Sequence, residues 1–227
     1  MAELAHLAER RTSTDVVYEY LYQEIVTLKL LPGAKISETE IAKRFGMSRQ
    51  PVRDAFSRLG NDDLLYVQPQ KSTEVKRFSR KTITRARFVR AAIEIEVLRT
   101  AARNWDGHTD QAISANLDSQ TKAAKAGQAE QFHELDAQFH QLMCEAAGLP
   151  HAHDAIRECK IPVDRLCVLS LSNEDKLNTL LEDHSQIFAA VQAHNVEKTE
   201  SLIRHHLGRL DETIAHLYGA HRGYFSD

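Results

Sequence analysis

The sequence predicts a mainly α protein in two parts: short helices closed by a small hairpin over residues 1–78, then an all-α antiparallel helical bundle over residues 79–227. Three observations carry that prediction. Helical periodicity is broken by closely spaced caps before Gly60, then runs on after Thr82 through about six longer helices with no convincing strand. Basic residues cluster early: five between Lys43 and Arg58 against one acid, Asp54, and seven between Lys71 and Arg87 against Glu74 alone. Histidine is skewed the other way, with eleven of the 12 at or beyond His108. The two parts are therefore expected to do different chemistry.

At 227 residues and 42% hydrophobic content, the chain can build two ordinary domains with real cores. Its net charge of −3 is a poor guide to partners, because residues 1–78 carry 12 Lys/Arg against 11 Asp/Glu and the remainder 17 against 21. No stretch approaches the roughly 18 apolar residues of a membrane span, and the N-terminus is charged without an apolar signal core. A cytoplasmic protein is expected, with no membrane partner. Cys144, Cys159 and Cys167 show no CxxC spacing, which points to core thiols rather than to disulfides or a zinc ribbon.

In the first part, Thr12-Ser13-Thr14-Asp15 caps a helix in which Val16, Tyr20, Ile25 and Leu28 can face a core, and Leu31-Pro32-Gly33 ends it. Ser37 to Glu40 has the Ser-x-x-Glu form of a capping box and opens a short helix that stops at Gly46. Ser48 then caps a helix to Leu59 that tolerates Pro51 in its first turn and keeps Val52, Ala55, Phe56 and Leu59 at helical spacing. The result is helix, tight turn, helix. Segments 64–68 and 73–76 read as two strands around Pro69-Gln70-Lys71-Ser72, a small basic hairpin, so the whole is a winged helix-turn-helix.

A helix that enters the major groove needs long donors near its start and apolar residues behind them. Arg49 and Arg53, four apart on one face, with Gln50 beside them, fit that demand: arginine bonds guanine bidentately and glutamine adenine. Lys43, Arg44, Ser48, Gln70 and Lys71 suit phosphate or minor-groove contacts, which anchor without specifying. The competing reading of these arginines is a solvated face.

The stretch MSRQPVRDAFSRLGNDDLLYVQPQKSTEV resembles the GntR family of bacterial regulators, whose pattern is Ser-Arg-x-Pro-Val-Arg-x-Ala, an Arg-Leu pair and a wing. The resemblance implies operator contacts at Arg49 and Arg53. It departs from the family at Thr39, where members often carry arginine, and at Ser72, where they often carry glycine in the wing.

In the second part, helices are expected near 83–104, 109–126, 129–147, 152–171, 175–193 and 197–218, with Pro162 kinking the fourth or splitting it after Lys160, and with 123–129 as a candidate loop. Several carry polar residues within apolar stripes, where an unpaired charge is costly. Asp136 and His140 lie against Leu135, Phe139 and Leu142; His184 falls among Leu177, Leu181 and Ile187; His206 falls among Leu202, Ile203 and Leu210. One carboxylate and three imidazoles suit Zn²⁺ or a similar transition ion, Ni²⁺ or Mn²⁺ included; taken singly, each histidine reads rather as a core residue bonded to a backbone carbonyl, and it is the four together that point to a metal. An open coordination position would accept a carboxylate, with an arginine for its other end. Arg90 leads, although Arg90 and Glu94, one turn apart, also read as a structural ion pair; Arg165 is the second candidate, with a surface role as its alternative.

Residues 82 to 217 resemble the FCD ligand-binding domain of FadR-type GntR regulators, and six helices imply its shorter, VanR-like form. The family motif Asp-x-x-x-His with single histidines on two later helices matches Asp136, His140, His184 and His206, and an effector-contacting arginine falls at Arg90. The resemblance implies a homodimeric repressor of a near-palindromic operator in double-stranded DNA, released by a small carboxylate such as a sugar acid. Two alternatives stand beside it: a helical-bundle metalloenzyme, for which Glu130-x-x-His133 is a single copy of a motif needed twice, and a DNA-binding dimer without an effector.

Overall fold

A computed structural model describes residues 12–67, 72–170 and 174–226. The chain divides into two compact units, Met1–Phe78 with Ser226, and Ser79–Phe225.

The first unit contains α1 (Ser13–Val26), β1 (Lys35–Ile36), α2 (Glu38–Phe45), α3 (Arg49–Asn61), β2 (Leu65–Tyr66) and β3 (Thr73–Val75). The Thr12 hydroxyl accepts from the Asp15 amide while the Asp15 carboxylate accepts from the Thr12 amide, closing the capping box that starts α1. The buried stripe of α1 is Val17, Leu21 and Ile25; Val16 is 40% exposed and Tyr20 half-buried, so of the expected set only Ile25 belongs fully to the core. Tyr20 lies outside because its ring packs edge-on against Phe45, under the Arg44 guanidinium. The α1 stripe meets Val52, Ala55, Phe56 and Leu59 of α3, all fully buried.

Gly46, at φ +64°, ends α2 in the left-handed region that glycine enters without a Cβ penalty, and lets α3 begin three residues later. Ser37 and Ser48 occupy the N-cap positions of α2 and α3, but neither hydroxyl bonds a helix amide, so the capping box expected at Ser37 is not formed. The hairpin strands are β2 and β3, shorter than expected, and β3 is also paired by β1, an unforeseen strand of two residues. The antiparallel order is β1-β3-β2, with Ile36 opposite Thr73 and Leu65 opposite Val75.

The second unit holds α4 (Arg80–Asn104), α5 (Asp110–Lys125), α6 (Ala129–Ala146), α7 (Ala152–Ser170), α8 (Glu174–Gln192), α9 (Val196–Gly208) and α10 (Leu210–Ala220), then a 3-10 turn at Arg222–Tyr224. That is seven helices among the described residues, where six were expected: the segment 197–218 breaks at Gly208-Arg209. There the Arg209 amide turns back to the His206 carbonyl and its guanidinium reaches Asp183 on α8 with two hydrogen bonds, of 2.5 and 2.8 Å. Helix α7 is not split at Pro162. A proline removes one helical hydrogen bond, and Ile156, Val163 and Leu166, buried on both sides of it, hold both halves of α7 to the core. The small-residue segment 123–129 is helical at both ends, because Ala123 and Ala124 are core residues packed with Phe132 and Leu177.

Helix α4 packs on α7 and α9, and α5 on α6 and α8. Ile95, Leu98 and Ala102 of α4 share one core with Phe139, Met143, Ile187 and Ile203. Cys144 is buried in that core, which pushes its thiol up to about 12, and Cys159 is half-buried; the Cys167 side chain lies outside those described.

Phe56 is the largest buried side chain joining α3 to α1. Phe56→Ala is expected to destabilise the first unit by about 3–5 kcal/mol in denaturant unfolding of the full chain. A transition unchanged from wild type would show that this packing does not support α3.

Candidate functional site

The first candidate surface is the start of α3. Ser48, Arg49, Gln50 and Arg53 are exposed, while Val52 and Phe56 on the opposite face are buried. Glu38, at the first position of α2, places one carboxylate oxygen, Oε2, 3.0 Å from Arg49 Nη2 and 3.4 Å from Arg53 Nη2. Two like charges a turn apart are thereby gathered on a shared acceptor. Gln50 donates to Asp54 at 2.8 Å. Lys43 and Arg44, on the last turn of α2, are exposed beside this surface. Gln70 and Lys71 lie outside the described residues.

The second is in the helical unit. Asp136 and His140 of α6, His184 of α8 and His206 of α9 each direct one oxygen or nitrogen to a common point, these atoms all lying within 4.8 Å of one another. His140, His184 and His206 are buried, and Phe139 stacks on the His184 ring at 4.3 Å between centroids. His205 is exposed, so the buried member of the adjacent pair is His206.

Each imidazole is held at Nδ1. His140 Nδ1 lies 2.6 Å from Glu94 of α4, His184 Nδ1 2.8 Å from Gln120 Oε1 of α5, and His206 Nδ1 3.3 Å from Asp183 Oδ2 of α8. Such acceptors place the proton on Nδ1 and turn the Nε2 lone pair inward, the arrangement that metal-binding histidines use. His184 Nε2 is buried with no hydrogen-bond partner among the described residues, and Asp136 Oδ1 stands 3.4 Å away. A buried nitrogen acceptor and a partly buried carboxylate oxygen face each other there, and with the His184 proton on Nδ1 a cation would resolve the pair. The donor set fits a transition ion.

Burial pushes the pKa of His140, His184 and His206 below 6.5, keeping them neutral. Burial alone would push the carboxyls up. At Asp136 this is outweighed by Lys160, whose ammonium donates to Oδ2 at 2.6 Å, and by the histidines; at Glu94 it is outweighed by Arg90 and His140. Both carboxyls stay well below their ordinary range.

A cavity of about 610 Å³ opens beside the cluster, with Arg90, Asp136, Lys160 and His206 in its wall. Arg90 satisfies both sequence readings: its Nε pairs with Glu94, and the residue also lines the cavity. Glu94 is not in the wall; it stands behind, bridging Arg90 and His140. Arg165 is buried, 2% exposed, and is not among the lining residues, so its surface alternative is corrected and its candidacy gains no support from position. His133, which sequence spacing left without a role, lines the cavity, and burial followed by the Lys160 charge lowers its pKa to about 4. Sequence reasoning also missed Gln120, Asp183 and Lys160. Gln120 lies in the Ile113, Asn116, Ala123 stripe and Asp183 adjoins His184, signals that were legible; Lys160 had none beyond its place before Pro162.

Residues 13–75 match the family described as bacterial regulatory proteins of the gntR family, and residues 86–209 match the FCD domain. The chain is 33% identical over 211 residues to the HTH-type transcriptional repressor RspR of Escherichia coli K12, covering 93% of this chain and 92% of that one. Its fold is similar to E. coli McbR/YncC, with TM-score 0.74 and 21% identity over 92% of this chain and 98% of that one. It is equally similar to a GntR regulator from Rhodococcus sp. RHA1, with TM-score 0.74 and 20% identity over 89% and 97%.

The histidine shifts set a pH dependence. His133, His140, His184 and His206 titrate near 6.5 when unfolded and below it when folded. As pH falls through about 6.5 the unfolded chain takes up protons that the native state refuses, so stability is retained above that value and lost below it. Glu94 and Asp136, with ordinary values of 4.5 and 3.8, add a further loss at lower pH. The melting temperature of metal-free protein is expected to decline steadily from about pH 6.5 downward; a flat profile to about pH 5 would contradict the buried, neutral histidines.

Proposed function

The chain belongs to the GntR family of bacterial regulatory proteins and carries an FCD domain, and from that premise we propose that it is a homodimeric repressor whose hold on operator DNA is set by a small carboxylate bound beside a metal ion. Membership makes it a transcriptional regulator, not an enzyme, and sets aside the metalloenzyme alternative. No helix among the described residues is long and apolar enough to cross a membrane, and a regulator of bacterial DNA works in the cytoplasm. The repressor E. coli RspR, the relative at 33% identity, supports the direction of control.

On the DNA side, Arg49, Gln50 and Arg53 read base edges, while Ser48, Lys43, Arg44, Gln70 and Lys71 anchor to phosphate or the minor groove. Glu38 takes one N–H from each arginine and leaves other donors of the guanidinium fork for guanine. Two subunits set recognition helices in successive major grooves, roughly 34 Å apart on a near-palindromic site.

On the effector side, the observation that carries the reading is that one nitrogen from each of His140, His184 and His206 and one Asp136 oxygen lie within 4.8 Å of one another. Asp136, His140, His184 and His206 would hold the ion, Zn²⁺ foremost. When bound, it supplies a Lewis-acidic position for a carboxylate oxygen. Arg90 contributes the paired donor for that carboxylate, with Glu94 fixing its orientation. The acid controls the operator only by binding the DNA-competent and DNA-incompetent forms with different affinity.

Protein purified without chelator or affinity tag is expected to contain about one transition ion per chain by elemental analysis, lost in His184→Ala. Wild-type protein that holds none and takes up none from added Zn²⁺ would defeat the metal reading. With an operator selected from random duplexes by the wild-type protein, Arg49→Ala and Arg53→Ala are each expected to lose about 1–3 kcal/mol of discrimination over unrelated DNA. Full discrimination in both variants would remove α3 from base reading.

A further inference from the structure

The cavity beside the histidine cluster is charged in one direction. Arg87, Arg90, Lys160, Lys176, Arg204 and Arg209 line it, and Asp136 is the single carboxylate among the described residues of its wall. The acids that balance four of these cations stand outside the wall: Asp211 for Arg87, Glu94 for Arg90, Glu200 for Arg204 and Asp183 for Arg209. Those four cations are thus fixed by partners behind them, Lys160 pairs with Asp136 within the wall, and the lining residues remain predominantly cationic. A cleft lined by one sign of charge concentrates ligands of the opposite sign.

The positive wall is also long. Lys176 precedes His184 by eight residues on α8, about 12 Å along the axis at about 1.5 Å per residue. Thr179 and Leu180 line the interval, and Arg87, a turn before Arg90 on α4, adds a second cation away from the histidines. At 610 Å³ the cavity has the volume of about twenty waters at about 30 Å³ each, far more than a two- or three-carbon acid displaces. A single carboxylate at Arg90 would leave exposed Lys176 and half-buried Arg87 without a part in holding the ligand.

Building on the effector reading above, we propose that the ligand is an extended acid with an anionic group at each end. One carboxylate sits at Arg90 beside the Asp136–His206 end, and a second anionic group, carboxylate or phosphate, sits on Lys176 and Arg87. Polar atoms between them meet Thr179 and the neutral His133. Chain length and charge number, rather than carboxylate chemistry alone, then select the ligand.

The test is calorimetric titration of full-length, Zn²⁺-loaded protein with three six-carbon probes differing in the far group: gluconate, with one charge; glucarate, with two carboxylates; and 6-phosphogluconate, with a carboxylate and a phosphate. The two acids charged at both ends are called dianions, although the phosphate of 6-phosphogluconate brings its total to about −3 at neutral pH. At least one of them is expected to bind tenfold or more tighter than gluconate, and which one leads distinguishes the two far groups. In Lys176→Ala the ratio of dianion to monoanion affinity should fall toward one, whereas Arg90→Gln should weaken all three acids together. Gluconate binding as tightly as both dianions, or a ratio preserved in Lys176→Ala, would overturn the second anion position while leaving the effector site standing. Binding insensitive to Arg90→Gln, or no binding of any acid, would overturn the effector reading itself and this inference with it.

Discussion

Each buried imidazole donates its Nδ1 proton to an acceptor on another helix: His140 to Glu94 of α4, His184 to Gln120 of α5 and His206 to Asp183 of α8. Without those acceptors the rings could rotate or take the other tautomer, and the Nε2 lone pairs would not converge. The bracing groups are themselves braced. Glu94 also pairs with Arg90, Gln120 donates to Asn116, and Asp183 holds Arg209. Five of the seven helices described, α4, α5, α6, α8 and α9, are committed to the orientation of three rings, so the cluster is a property of the whole bundle. Burying these groups is costly unless every partner is present, and that cost gives the bundle its register.

The same economy governs the cavity. Its guanidinium groups are neutralised from outside the wall, so the site is rigid before a ligand arrives and the ligand does not have to order long side chains at its own expense. Arg90 joins the two systems, with one edge on the carboxylate that orients His140 and its side chain in the cavity wall. A ligand drawing on Arg90 therefore bears on the histidine cluster both through Glu94 and directly, since Arg90 Nη2 lies 3.4 Å from His140 Nε2. The first unit uses ion pairs differently. Those from Glu38 to Arg49 and Arg53 are exposed and contribute little to stability, which leaves orientation of the arginines as their physical consequence.

Much of this was legible in sequence. The spacing of Val52, Ala55, Phe56 and Leu59 located α3 and its buried face, and hence the exposure of Arg49 and Arg53. Polar residues inside apolar stripes singled out Asp136, His140, His184 and His206. Finer matters were not. A stripe one residue out of phase placed Val16 and Tyr20 in the core, because aromatic packing between Tyr20 and Phe45 shifts the α1 face. The pair β1 and β3 escaped notice because strands of two residues have no periodicity to read. The break at Gly208-Arg209 depends on a guanidinium captured by a carboxylate 26 residues earlier.

By itself the sequence determined the periodic features: helix faces, caps, the paired arginines of α3, and the four residues whose polarity contradicts their stripe. These follow from local spacing, which the chain carries wherever it is read. Only the tertiary structure decided which Nδ1 meets which acceptor, that Arg90 serves both an ion pair and a cavity, that Glu94 stands behind the wall and not in it, and that the wall is positive along its length. Each of those depends on side chains from different helices meeting within about 3 Å, and a one-dimensional pattern holds no distance between residues far apart in the chain.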